Sequence, residues 1–77
     1  MQANISIDDL RLVRAISVRG SLTAAAAALR VDHSTAFRRL RGLERRMGAI
    51  LFERRRTGYL PTPAGEAAVA AACRILH

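Results

Sequence analysis

The sequence predicts a mainly α-helical domain in which three helices are followed by a short two-stranded hairpin and one further helix. Apolar residues recur at helical spacing along most of the chain, and caps and glycine stops cut that pattern into segments. One stretch, Ile50 to Leu60, loses the helical period and carries a turn signal at Thr57-Gly58. The length is 77 residues and 51 % of them are hydrophobic, too many for a disordered chain and enough for one small core. A domain of this size buries roughly 60–65 % of its unfolded surface.

Ser6-Ile7-Asp8-Asp9 opens the first helix, with a hydroxyl three residues ahead of a carboxylate as a capping box requires. Leu10, Val13 and Ile16, with Leu12 beside them, continue it to the stop at Gly20. Ser21 caps a second, short helix on which Leu22, Ala25, Ala26 and Leu29 fall on one face. Alanine has no bulk, so this helix is expected to lie close to its neighbour. Arg30-Val31 forms a break, and Asp32 is placed to cap a third helix of about 33–47, ended by Gly48. Ala36, Leu40, Leu43 and Met47 make its buried stripe, and Ser34, Thr35, Arg38, Arg41 and Arg45 gather opposite. Arg39 and Arg46 share one flank; Phe37 and Glu44 share the other. Ile50-Leu51-Phe52 and Tyr59-Leu60 read as two strands, with Arg54, Arg55 and Arg56 at the tip between them and Pro61 ending the second. Thr62-Pro63 starts the last helix, threonine as cap and proline at the first helical position. Ala64, Ala68, Ala71, Ala72 and Ile75 line one side of it, and with nothing left in the chain to cover them they point to a second subunit.

Charge narrows the function classes. The chain holds 13 basic residues, all arginine, against 6 acids, a net +7 that calls for an anionic partner. Nine of those arginines and three acids fall between Arg30 and Arg56, so +6 of the total sits on the third helix and the hairpin. The lack of lysine, together with 15 alanines, is the signature of a GC-rich coding sequence and carries less weight than the excess itself. Cys73 stands alone, which rules out an internal disulfide or a cysteine-based zinc site and suits a reducing cytosol. Met1-Gln2-Ala3-Asn4 has no basic region, and the longest uncharged run, Gly20 to Leu29, is half a membrane span. A soluble, cytoplasmic domain with no membrane partner is expected.

The second and third helices also meet the spacing of a helix-turn-helix. Ala26 permits a close crossing, Val31 plugs the turn five residues on, and Ala36 returns to the core after five more. Arg30 stands where many such motifs have glycine, so the turn need not be of the tightest type. With the basic hairpin as a wing over 53–58, the pattern is that of a winged helix-turn-helix. The major groove of DNA admits one α-helix whose first residues reach base edges. His33, Ser34, Thr35, Phe37 and Arg38 are therefore the base-contact candidates. Arg38 can hold guanine O6 and N7 with two hydrogen bonds, and Thr35 can offer its methyl to thymine. Ser21, Thr23, Arg39, Arg41, Arg54, Arg55, Arg56 and Thr57 are the backbone and wing candidates.

Ser21-Leu22-Thr23-Ala24-Ala25-Ala26, Val31 through Leu40, Leu43-Glu44, Leu51-Phe52-Glu53-Arg54 and Leu60 through Glu66 closely resemble the DNA-binding domain of LysR-type transcriptional regulators. The resemblance spans residues 6–77. It implies a winged helix-turn-helix over 1–61 and, over 62–77, the start of a linker helix that pairs two subunits, with a tetramer open to the full-length protein. It implies as well a C-terminal domain absent from this chain, which binds a small-molecule effector; the DNA-binding part itself needs no cofactor or metal. Departures are visible: Asp32-His33-Ser34 stands where many members have Ser-Gln-Pro, and Phe37 where serine binds phosphate. Leu60-Pro61 replaces the usual Arg-Leu or Leu-Thr, which marks the second wing strand as a place for distortion. The family's base preferences therefore do not transfer directly.

Blander and competing readings stand beside these. Arg45 and Arg46 fit a solvated face paired with Glu44 or other neighbours, and Phe37 can fold back as core. His33 has no partner at metal-ligand spacing, and Cys73 is most simply a small packing residue. Another winged-helix protein, such as the similar domain of molybdate-responsive regulators, would share most of these features. A membrane-surface helix wants exposed Leu, Phe or Trp, whereas the aromatics are only Phe37, Phe52 and Tyr59. RNA binding wants aromatics on an exposed sheet. An enzyme would need a carboxylate pair, a nucleophile with its base, or a Gly-rich phosphate loop, and the sequence displays none of them.

Overall fold

Helix α1 (Ile7–Arg19), α2 (Leu22–Leu29), α3 (His33–Met47), strands β1 (Phe52–Arg55) and β2 (Gly58–Pro61), and α4 (Pro63–Leu76) follow in that order. The computed structural model describes residues 5–76; Met1 to Asn4 and His77, counted in the bounds 1–61 and 62–77 above, lie outside the described residues. The capping box at α1 forms as its spacing demands: Ser6 Oγ accepts from the Asp9 amide at 3.2 Å, and the Asp9 carboxylate accepts from the Ser6 amide at 3.0 Å. The same Asp9 oxygen takes a 2.8 Å ion pair from Arg46, which ties α1 to α3 across 37 residues of sequence. Arg46 is therefore engaged with Asp9 rather than with Glu44.

Two helix ends solve one problem with different residues. At the end of α3, Gly48 takes a left-handed backbone (φ 69°), and the Gly48 and Ala49 amides bond back to the Arg45 and Glu44 carbonyls. At the end of α2 the same pair of bonds runs from Arg30 and Val31 to Ala27 and Ala26, with Arg30 itself at φ 60°. The turn is thus of the tight, left-handed type despite lacking glycine, which corrects the looser turn expected from Arg30. A Cβ in that region costs about 1–2 kcal/mol. Asp32 occupies the cap position of α3 but makes no side-chain cap bond, so its backbone geometry alone starts that helix.

The core lies where α1, α2 and α3 meet. Leu12, Val13, Ile16, Leu22, Leu43 and Leu51 are fully enclosed, and Ala25, Ala26 and Ala36 are at most 3 % exposed, which lets α2 and α3 cross closely. The wing is an antiparallel pair in which Phe52 faces Pro61 and Arg55 faces Gly58. Pro61 belongs to β2 rather than ending it, and the strand shows no break there; an edge strand needs no amide from that residue. Arg54 and Arg55 lie within β1, and only Arg56 sits in the turn, so the three arginines run along the wing instead of clustering at its tip.

The last helix is anchored from its first turn. Thr62 Oγ1 accepts from the Gly65 amide (3.1 Å) and donates to the Ile50 carbonyl (2.5 Å), while the Thr62 amide donates to the Leu51 carbonyl (3.0 Å). Gly65 rests on the Leu51 backbone so closely that a Cβ there would lie 1.8 Å from the Leu51 oxygen. Beyond this contact α4 packs along α1, the broadest helix pairing in the chain. Its small-residue side is therefore covered in large part from within, a correction to the uncovered stripe expected above. Ala72 is fully buried and cannot face a partner; Ala64 and Ala68 pack partly against the core, and Ala71 and Ile75 remain accessible.

Gly65→Ala should destabilise the domain by about 1–3 kcal/mol through overpacking, read as a fall in Tm of at least about 5 °C. Arg30→Gly should act in the opposite direction. Relief of the left-handed strain exceeds the entropy that glycine adds to the unfolded chain by about 0.5 kcal/mol, and Tm should rise by about 2–4 °C.

Candidate nucleic-acid interface

The amphipathic pattern of α3 sorts its side chains as the sequence requires. Ala36, Leu40 and Leu43 point inward, while Ser34, Phe37, Arg38, Arg41 and Arg45 are exposed, together with His33 at the first position. Thr35 is half-buried, and its hydroxyl accepts from Arg38 Nη2 at 3.4 Å, which leans that guanidinium back along the helix start. Arg41 lies over the Phe37 ring, its Cζ 5.8 Å from the centroid. Phe37 is 44 % exposed, so it does not fold back into the core. Glu44, expected on the solvated flank, is buried instead, and its carboxylate accepts from the Leu51 amide at 2.9 Å. A charge-assisted bond of this kind fixes where the chain leaves α3 for the wing.

The wing is seated by main-chain atoms. The Tyr59 amide donates to the Gly20 carbonyl at 2.9 Å, and Gly58, at φ 137°, passes so near that a Cβ would lie 2.3 Å from the same oxygen. This brings the wing against the start of α2 and α3 and leaves a cleft of about 240 Å³ between them. Ser21, Thr23, His33, Phe37, Arg54, Arg55 and Arg56 all line it, so seven of the predicted residues converge on one surface. Ser21 holds its own helix, its Oγ accepting from the Ala24 amide at 3.1 Å, which leaves its hydroxyl proton to donate to a ligand phosphate. Arg55 is paired with Glu53 at 2.6 Å on the exposed wing. Thr57 is exposed in the turn. Arg39 is set apart: it shares a flank with Arg46, seven residues on, on the side where Arg46 reaches Asp9. Tyr59 lines the cleft and was not singled out from sequence, because the contact that places it, to Gly20, joins residues far apart in the chain.

A sequence profile described as bacterial regulatory helix-turn-helix protein, lysR family, matches residues 7–66. The chain belongs to that family. This LysR-family domain is 38 % identical over 69 residues to the HTH-type transcriptional regulator YofA of Bacillus velezensis, covering 90 % of the chain and 24 % of YofA. It is 35 % identical over 68 residues to the HTH-type transcriptional regulator ClcR of Pseudomonas putida, covering 88 % of the chain and 23 % of ClcR. It thus spans about a quarter of the length of these relatives. Among solved structures, the DNA-binding domain of CbnR in complex with DNA superposes with a TM-score of 0.86 at 33 % identity, over 94 % of this chain and 83 % of that one. Full-length LysG of Corynebacterium glutamicum superposes with a TM-score of 0.88 at 29 % identity, over 95 % of this chain and 25 % of that one. The LysR-family domain therefore has the winged helix-turn-helix fold, and its relatives are transcriptional regulators.

The seating of the wing is testable. In Gly58→Ala the added methyl must push β2 from the Gly20 carbonyl. The Tyr59 amide should lose its protection from hydrogen exchange while amides of the α1 core, such as those of Val13 and Ile16, keep theirs.

Proposed function

We propose that the chain binds double-stranded DNA in a sequence-dependent way, as the DNA-reading part of a transcriptional regulator. The observation that carries this is the continuity of one cationic surface, from the outer face of α3 across the cleft to the wing. In this reading α3 lies in the major groove with His33, Ser34, Thr35, Phe37 and Arg38 toward the bases. Ser21, Thr23, Arg41 and the wing residues Arg54, Arg56 and Thr57 meet the sugar-phosphate backbone or the minor groove. Arg39 and Arg55 are weaker members of that set, one turned to the far flank and the other already paired with Glu53. No helix among the described residues is long and apolar enough to cross a membrane. A cytoplasmic site of action and a small-molecule effector, bound by a part of the regulator beyond these residues, belong to the same proposal, as does the division into a DNA-reading unit to residue 61 and a linker helix from 62.

Pairing of two copies through α4 is supported by its remaining apolar surface. Ile75 is 58 % exposed, and Ala67 and Ala71 border a largely apolar groove that α4 forms with α1 and the end of α3. Two recognition helices held in one dimer would read two half-sites.

Duplexes selected from a random pool should show a log–log slope of affinity against salt near −5 for about six phosphate contacts. Arg38→Ala should flatten the sequence preference, whereas Arg56→Ala should weaken all duplexes alike and make the slope shallower by about 1. Enrichment of no duplex, with Arg38→Ala silent, would sink the assignment of α3. Sedimentation addresses the pairing: the parent chain should run as a dimer at micromolar concentration, and Ile75→Glu or Ala71→Glu as a monomer. Identical sedimentation of all three would count against α4 as the interface.

A further inference from the structure

We infer that Phe37 reads the 5-methyl group of a thymine in the target duplex, an inference that rests on the DNA-binding reading above. The chain has two phenylalanines and treats them oppositely: Phe52 is 5 % exposed in the core, whereas Phe37 is 44 % exposed on the cationic face. A phenyl ring kept in water forgoes the burial that normally fixes its place. Phe37 is the fifth residue of α3, one turn after His33, in the part of a recognition helix that reaches base edges. Arg41 takes one face of the ring, its Cζ 5.8 Å from the centroid, which restrains a ring that packing alone leaves loose. The ring also borders the cleft between α3 and the wing, which Arg54, Arg55 and Arg56 line from the other side.

The chemistry of the ring limits what it can recognise. It carries no hydrogen-bond donor or acceptor, so it reads neither a phosphate nor the polar atoms of guanine, adenine or cytosine. The one apolar group on a base edge of the major groove is the thymine methyl. Thr35, the other base-contact candidate on α3 with a methyl to offer, is half-buried and its hydroxyl is engaged by Arg38. An exposed phenyl at this position is therefore matched to a thymine and mismatched to cytosine, which presents an amino group and no methyl.

The test removes the methyl and nothing else. In a duplex selected by the parent chain, each thymine is replaced singly by uracil. One replacement should lower affinity about fourfold, the loss expected for one methyl withdrawn from an apolar contact. In Phe37→Ala the thymine and uracil duplexes should bind alike, while Phe37→Leu and Thr35→Ser should still distinguish them. The parent chain supplies a readout that needs no variant: 5-iodouracil at the sensitive position should crosslink on irradiation to Phe37, located by fragmentation of the Val31–Arg38 tryptic peptide. Indifference to uracil at every position overturns the inference, as does a difference that survives Phe37→Ala or vanishes in Thr35→Ser, or a crosslink that misses Phe37. A parent chain that selects a duplex yet ignores its methyl groups refutes the role of Phe37 alone. One that selects no duplex removes the sequence-specific reading with it.

Discussion

Leu51 is the joint on which three parts of the domain converge. Its side chain is enclosed in the core, its amide is held by the buried carboxylate of Glu44 from α3, and its carbonyl receives the Thr62 amide ahead of α4. The same carbonyl is the surface on which Gly65 rests. One residue therefore fixes the exit of α3, the root of the wing and the first turn of the last helix. Such a joint depends on complete satisfaction of its polar groups, because a buried amide or carboxylate left without a partner costs about 1–3 kcal/mol or more. No described side-chain polar atom that is buried lacks a partner.

Local rules made most of the elements legible. Ser6 with Asp9, Gly20, Ser21, Gly48 and Thr62-Pro63 mark helix ends by chemistry that acts within four residues, and each bounds a helix where the sequence places it. What escaped were contacts that join distant residues. Glu44 reads as a solvated acid on a charged helix, and only the fold brings the Leu51 amide to it. Arg46 has Glu44 for a sequence neighbour and Asp9 for a partner. The apolar side of α4 looked unoccupied because nothing local says that it lies along α1. Arg30 illustrates a different case: the turn is closed by bonds from the Arg30 and Val31 amides to the Ala27 and Ala26 carbonyls, and the residue accepts strain that glycine would avoid.

The candidate interface was legible for the same reason in part. Helical spacing alone puts Ser34, Arg38, Arg41 and Arg45 on one face, because that arithmetic is local. The convergence of α2, α3 and the wing on one cleft is not local, and it separates residues that composition treats alike. Among the described residues Arg56 makes no ion pair on the wing turn, Arg55 pairs with Glu53 on the exposed surface, and Arg46 ties α3 to α1 through Asp9. The same residue type thus serves three physical roles, and counting charge cannot tell them apart.

The wing is fastened at its base, by the buried Phe52 ring, by Tyr59 against the core and by the approach of Gly58 and the Tyr59 amide to the Gly20 carbonyl, while the side chains from Glu53 to Thr57 are all exposed. Its position therefore depends little on the identity of those exposed side chains. Residues 53–57 can therefore vary while the hairpin keeps its place beside α3, so a lineage built on this scaffold can exchange the exposed side chains of its wing one at a time without refolding the protein around each change.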